Sequence, residues 1–299
     1  MMEVGEQFID RVFVIESLRD GDMSTGLEIK NNIENSEPKL NVTYCNYIDK
    51  DIFLQGLSDI YDEIKPNEGI LLFIEVHGSK EGIELGGEFV SWDVLTKHLQ
   101  LINTKSLMGL AVVFSCCYGV HFYRQTSILG RSPYYVMFGV DNSIYENRLL
   151  NMNKELVKGF FAKESLVEIV QSANSHLNIH DINLTFLEAG DLLIGAFTNY
   201  FTHQLSTELL LARFEETYET YLNTAESTLM THSQYKDYYF KYIFNYSILE
   251  NGFNDLRDKF LMTDLDGTLY ERFYIDFNEV YDKLNAKDLI EKAKREVFA

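Results

Sequence analysis

The sequence predicts an α/β fold: a mostly parallel sheet with helices on both faces, followed by an α-helical part. Two observations carry this. Over the first 180 residues, short Val-, Ile- and Phe-rich runs alternate with stretches whose apolar residues recur at helical spacing, and that alternation is the pattern of strand–helix–strand units. Beyond about residue 182 the short β-type runs stop, glycine thins out and the last proline is Pro133. The expected division is therefore 1–182 for the sheet-bearing domain and 183–299 for a helical regulatory or partner-docking region.

Arg11–Leu18 (RVFVIESL) reads as a buried strand, and Gly21–Gly26 as a turn in which Thr25 caps the helix LEIKNNIE. Leu40–Tyr47 alternates and is rich in Val, Thr and Tyr, a second strand. Asp49–Ile64 places Ile52, Leu57, Ile60, Tyr61 and Ile64 on one helical face, and Pro66-Asn67 ends it. Gly69–Val76 (GILLFIEV) is the strongest strand and runs into His77-Gly78-Ser79. Gly82, Gly86 and Gly87 mark a hairpin, after which Ser91 caps a helix reaching Leu101. Leu107–Phe114 (LMGLAVVF) is a strand ending at Ser115-Cys116-Cys117-Tyr118-Gly119, and Tyr134–Val140 is another, ending at Asp141. Helices are expected over Tyr145–Phe161 and Ser165–Leu177, then Leu184–Phe201, Leu205–Tyr221, Tyr235–Phe260 and Asn278–Phe298. The dense Tyr and Phe of this last part read first as core.

Composition narrows the function. The chain has 299 residues, 26 Lys and Arg against 46 Asp and Glu, and a formal net charge of −20. A nucleic-acid backbone or an anionic membrane surface requires a basic face, so neither is expected as a partner. No apolar run approaches the roughly 20 residues of a membrane helix. The N-terminal stretch carries acids where a signal peptide carries bases. Cys45, Cys116 and Cys117 are too few for a disulfide framework. All of this points to the cytoplasm.

In parallel sheets the ligand crevice lies outside the carboxyl ends of the strands. His77 and Cys116 each follow such an end, about 40 residues apart, and would meet if their strands are neighbours. A nucleophilic thiol needs a base within hydrogen-bond reach, usually from another element of the fold. Gly78 lets its N–H approach an oxyanion, and the N–H of Cys116 is the second donor. The plainer reading is a buried cysteine and a hydrogen-bonded histidine, since Cys is among the most buried residue types.

The blocks Phe73-Ile74-Glu75-Val76-His77-Gly78-Ser79 and Val113-Phe114-Ser115-Cys116-Cys117-Tyr118-Gly119 resemble the caspase-like cysteine peptidase clan, which includes caspases, legumain, metacaspases, separase and the bacterial CHAT peptidases. The likeness is closest to CHAT members and extends through Tyr134–Asn142 and Leu166–Asn174, covering roughly residues 8–180. The small-Cys-x-x-Gly spacing assigns the nucleophile to Cys116; the Cys-x-Gly spacing of caspases would point to Cys117. The resemblance implies a cysteine endopeptidase with a His77–Cys116 dyad, an oxyanion hole from Gly78 and Cys116, and no metal or cofactor. It also implies a protein substrate and an activating or inhibitory protein partner at the helical part, in a bacterial defence system. The position two before the nucleophile, acidic in metacaspases, is Phe114 here, so an uncharged P1 residue is expected, with Asp141 as a rival acid for the pocket. A caspase-fold interaction module without peptidase activity is the alternative.

Three further signals are weaker. Asp264-Leu265-Asp266-Gly267-Thr268-Leu269 copies the nucleophile motif of haloacid dehalogenase phosphatases, but too little chain follows for that fold, and it reads as an Asp-Gly turn. Cys116, Cys117 and His121 lack the fourth ligand of a structural zinc site. Asn41-Val42-Thr43 and Asn183-Leu184-Thr185 fit the glycosylation pattern, which has no meaning without a secretory address.

Overall fold

A computed structural model describes residues 9–177, 182–224 and 229–299; most of the acidic N-terminal stretch lies outside them. The elements that build the sheet are β1 (Arg11–Ser17), α1 (Thr25–Ser36), β2 (Asn41–Asn46), α2 (Lys50–Glu63), β3 (Ile70–Gly78), β4 (Gly82–Leu85), β5 (Glu88–Ser91), α3 (Trp92–Lys105), β6 (Leu110–Ser115), β7 (Val136–Val140), α4 (Glu146–Ala162), α5 (Leu166–Leu177) and β8 (Leu184–Glu188). A 3₁₀ segment, Gly119–Gln125, follows β6. The strand order is β2-β1-β3-β6-β7-β8, with β4 and β5 forming a hairpin off β3. All pairs along the sheet are parallel except β7–β8.

The α/β class and the mostly parallel sheet expected from the alternation are therefore present. Each central strand is buried on both faces, as its continuous apolar run requires. Val12, Val14, Leu71, Phe73, Ala111 and Val113 pack on one face with α1 and α4, beside Ile29, Ile33, Met152 and Leu156. Phe13, Ile15, Leu72, Ile74, Val112 and Phe114 pack on the other with α2 and α3, beside Phe53, Leu57, Leu95 and Leu99. Gly86 and Gly87, at the turn between β4 and β5, have φ of 57° and 87°, the left-handed region that side chains disfavour.

Several local expectations are corrected. Leu184–Phe201 is not one helix. Leu184–Glu188 pairs antiparallel with β7, from Val136↔Glu188 to Val140↔Leu184, and only then does α6 (Ala189–Asn199) begin. The open edge of β7 decides the conformation of a segment whose own pattern is ambiguous, and it carries the sheet past residue 182. Tyr235–Phe260 is two helices, α8 (His232–Ile243) and α9 (Tyr246–Phe260), the second capped by the Asn245 side chain, which accepts from the Ile248 N–H. The other helices are α7 (Thr207–Leu222), α10 (Leu269–Arg272), α11 (Phe277–Lys283) and α12 (Ala286–Val297), with a single π-type turn, Tyr200–Gln204, after α6.

Thr25 does not cap α1 from outside: it is the first helical residue, and its hydroxyl donates to Glu75 at 2.7 Å. Ser91 stands at the N-cap position of α3 but makes no capping hydrogen bond. The Asp264–Leu269 stretch is a series of turns: Asp264 receives both Arg131 Nη1 and Nη2, at 2.8 and 2.9 Å, and Asp266 accepts from the backbone and hydroxyl of Thr268. The Asp264 carboxylate is thus taken up in an ion pair with Arg131 and that of Asp266 in closing a local turn. Among the described residues, no helix is long and apolar enough to cross a membrane.

Candidate active site

The site is built by the register of two neighbouring strands. β3 and β6 pair in parallel, with Glu75 opposite Ser115. The chain leaves β6 at Cys116, while β3 runs on through His77 and Gly78. The two motifs meet at Gly78: a Cβ there would lie 2.8 Å from Cys116 Sγ and 2.2 Å from the Cys117 carbonyl oxygen. Only a residue without a side chain permits this approach. The strand order reverses direction between β1 and β3, so the carboxyl ends of these strands flank a topological switch point, where open α/β sheets place their crevice.

Sequence reasoning missed a third residue at this point. Asp22, in the loop after β1, lies with its Oδ2 2.7 Å from His77 Nε2. The same oxygen accepts the Arg19 N–H at 2.9 Å, and these hydrogen bonds, that to His77 foremost, hold the Asp22 carboxyl below its ordinary range. The Arg19 guanidinium reaches across to Glu84 with two contacts, at 2.7 and 2.5 Å, and Glu84 stands opposite His77 in the β3–β4 pair. The available signal was position: Arg19-Asp20-Gly21-Asp22 follows the carboxyl end of a strand, as His77 and Cys116 do.

Cys116 is only 1% exposed. Burial pushes its thiol well above the ordinary range, and Cys117 and Glu75 add to this. Among the described residues no hydrogen bond joins His77 to Cys116. Cys117 is half-buried and tied to Ile144, accepting its N–H at 3.4 Å and facing its carbonyl oxygen at 3.7 Å. Phe114 is fully buried, its ring 5.5 Å from that of Trp92 and 4.6 Å from that of Phe122. It is a core side chain that presents no surface to a substrate in this structure. Asp141 is exposed at the end of β7, where its Oδ1 accepts the Asn183 N–H at 3.0 Å; that bond helps turn the chain into β8.

Beneath the crevice lies a buried polar layer, also missed. Glu16 and Glu75 are register partners on β1 and β3, and each is 1% exposed. Glu16 accepts from the Gly26 N–H at 3.1 Å and from the Tyr44 hydroxyl. Glu75 accepts from Thr25, and from Asn153 Nδ2 at 3.0 Å. Asn153 Nδ2 also contacts Ser115 Oγ, while its Oδ1 has no partner. Burial pushes the Glu75 carboxyl up to about 8. A glutamate inside an apolar strand run was itself the signal, since charged residues are almost never fully buried without a partner.

No protein-family model matches the chain, and no curated protein matches its sequence.

Proposed function

We propose that the chain is a cysteine endopeptidase whose Cys116 and His77 act as nucleophile and base on a protein substrate, in the manner of the caspase-like clan its motifs resemble. The observation that supports this best is the meeting of the His-Gly and Ser-Cys blocks at two adjacent parallel strand ends, with Gly78 against Cys116 Sγ. In the reaction the thiol proton passes to His77, and Sγ bonds to the peptide carbonyl carbon. The C–N bond then breaks as His77 returns the proton to the leaving amine. Water, deprotonated by His77, hydrolyses the acyl-enzyme and restores the thiol. The N–H groups of Gly78 and Cys116 are the donors for the oxyanion.

A buried thiol is a poor nucleophile, because the thiolate is the reactive form. The state described here is therefore a covered one. Activity requires an opening that exposes Cys116 and brings it to His77; the isolated chain samples that opening as a minor state, and a protein partner bound to the helices after β8 is what we assign to shift it. The burial of Cys116 also favours a second reading, a caspase-fold interaction module without peptidase activity.

The two readings part on iodoacetamide labelling of the intact chain, mapped to each cysteine by mass spectrometry. Opening slows Cys116 labelling equally in wild type and His77→Ala, so their ratio reads the histidine alone. A working pair gives labelling at least tenfold slower in His77→Ala, with Cys45 unaffected. Equal rates would overturn the peptidase reading and leave the interaction module.

A further inference from the structure

We propose that Asp22 is a positioning residue for His77, fixing the proton on Nε2 and leaving Nδ1 as the basic nitrogen that serves the thiol. This rests on the peptidase reading for its purpose, but its structural content stands apart from it. An ionised carboxylate only accepts hydrogen bonds, so a 2.7 Å contact to Nε2 requires the proton on that nitrogen. In a neutral imidazole the other nitrogen is then the acceptor, and a base must be an acceptor.

The carboxylate is held from several sides, as an orienting group must be. The Arg19 N–H donates to the same Oδ2, and the Asp22 N–H returns to the Arg19 carbonyl at 3.1 Å, closing a tight turn. Arg19 fastens that turn to Glu84 on the strand facing His77. Three residues beyond Asp22, Thr25 anchors the start of α1 to the buried Glu75, which lies two residues before His77 on the same strand face. The loop after β1 and the end of β3 are thus tied together above and below the Asp22–His77 contact. Asp22 and His77 side chains remain 30% and 37% exposed, so a polar substitution at Asp22 leaves the core intact.

The test uses the full chain and the variants Asp22→Asn and Asp22→Ser. The oxygen that meets Nε2 also accepts the Arg19 N–H, so an asparagine keeps its carbonyl oxygen there and holds the proton on Nε2, whereas the serine hydroxyl ends one bond short of the ring. Nitrogen-15 NMR of the histidine ring distinguishes the two tautomers directly. We expect the Nε2–H form alone in wild type and Asp22→Asn, and nitrogen shifts averaged over both tautomers in Asp22→Ser. Iodoacetamide labelling of Cys116 should slow about thirtyfold in Asp22→Ser and recover in part in Asp22→Asn, a loss smaller than that of a fully buried orienting aspartate because this one is partly solvated. A wild-type His77 carrying its proton on Nδ1, or unchanged ring shifts in Asp22→Ser, would overturn the inference whatever the labelling shows. If instead the tautomer responds but His77→Ala labels as fast as wild type, Asp22 still sets the ring and it is the peptidase reading that fails.

Discussion

Gly78→Ala should destabilise the protein on the order of 3 kcal/mol and uncouple the two strand ends that form the candidate site. The added methyl carbon would sit 2.2 Å from the Cys117 carbonyl oxygen and 2.8 Å from Cys116 Sγ. The first of these is backbone directly following β6, and the second belongs to a side chain already 1% exposed. Neither is the free end of a flexible chain, and Gly78 itself is pinned by pairing with Ile83 on β4. Relief must come from separating the end of β3 from the start of the Cys116 turn. Gly252→Ala supplies the contrast. It lies in α9, where an added Cβ meets nothing within 4 Å, and removing a helix-interior glycine stabilises by up to about 1 kcal/mol. Urea unfolding of the two variants should therefore move the midpoint in opposite directions. An unchanged midpoint for Gly78→Ala would mean that the strand ends do not approach as described.

That same contact shows what the sequence could and could not disclose. Parallel strands put their carboxyl ends on one edge, so two apolar runs ending in His77-Gly78 and Ser115-Cys116 could be placed at one crevice from periodicity alone. Their adjacency, β3 beside β6, was an inference the sheet order supports. The segment 184–188 was not legible, because Leu-Thr-Phe-Leu-Glu is compatible with a helix and becomes a strand through the open edge of β7. Phe114 could be counted two places before the thiol, but not seen to lie between Trp92 and Phe122. Its side chain alternates to the face covered by α3, and only the packing of that helix closes it off. Asp22 was hidden for a related reason. A single aspartate in a polar turn carries no pattern, and its partner is 55 positions away.

The largest pH effect should come from Glu75, and Glu75→Gln should remove it. This carboxyl is fully buried and pushed from an ordinary 4.5 to about 8, first by burial and in smaller part by Glu16. Between these values the folded chain holds a proton that the unfolded chain has lost, so stability falls as pH rises. The contribution is fully present below pH 4.5 and lost by pH 8, at up to about 1.4 kcal/mol per pH unit, on the order of 4 to 5 kcal/mol in all. The surrounding groups already accommodate the neutral form. Asn153 Oδ1 is buried without a partner, and turning that amide over would let it accept from a protonated Glu75 and from Ser115, the atoms its Nδ2 now contacts. Amide orientation at such a site is fixed by the hydrogen-bond network, and a neutral Glu75 favours the turned arrangement. Glutamine presents the same neutral shape at every pH, with its NH₂ donating either to Thr25 Oγ1 or, once the Asn153 amide is turned, to Asn153 Oδ1. Urea midpoints measured from pH 5 to pH 9 should thus diverge, with Glu75→Gln gaining steadily on wild type up to pH 8 and holding a constant lead above it. Parallel curves would show that Glu75 is ionised in the folded chain. Glu75 would then carry a buried charge among hydroxyl and amide donors, with no cation paired to it among the described residues.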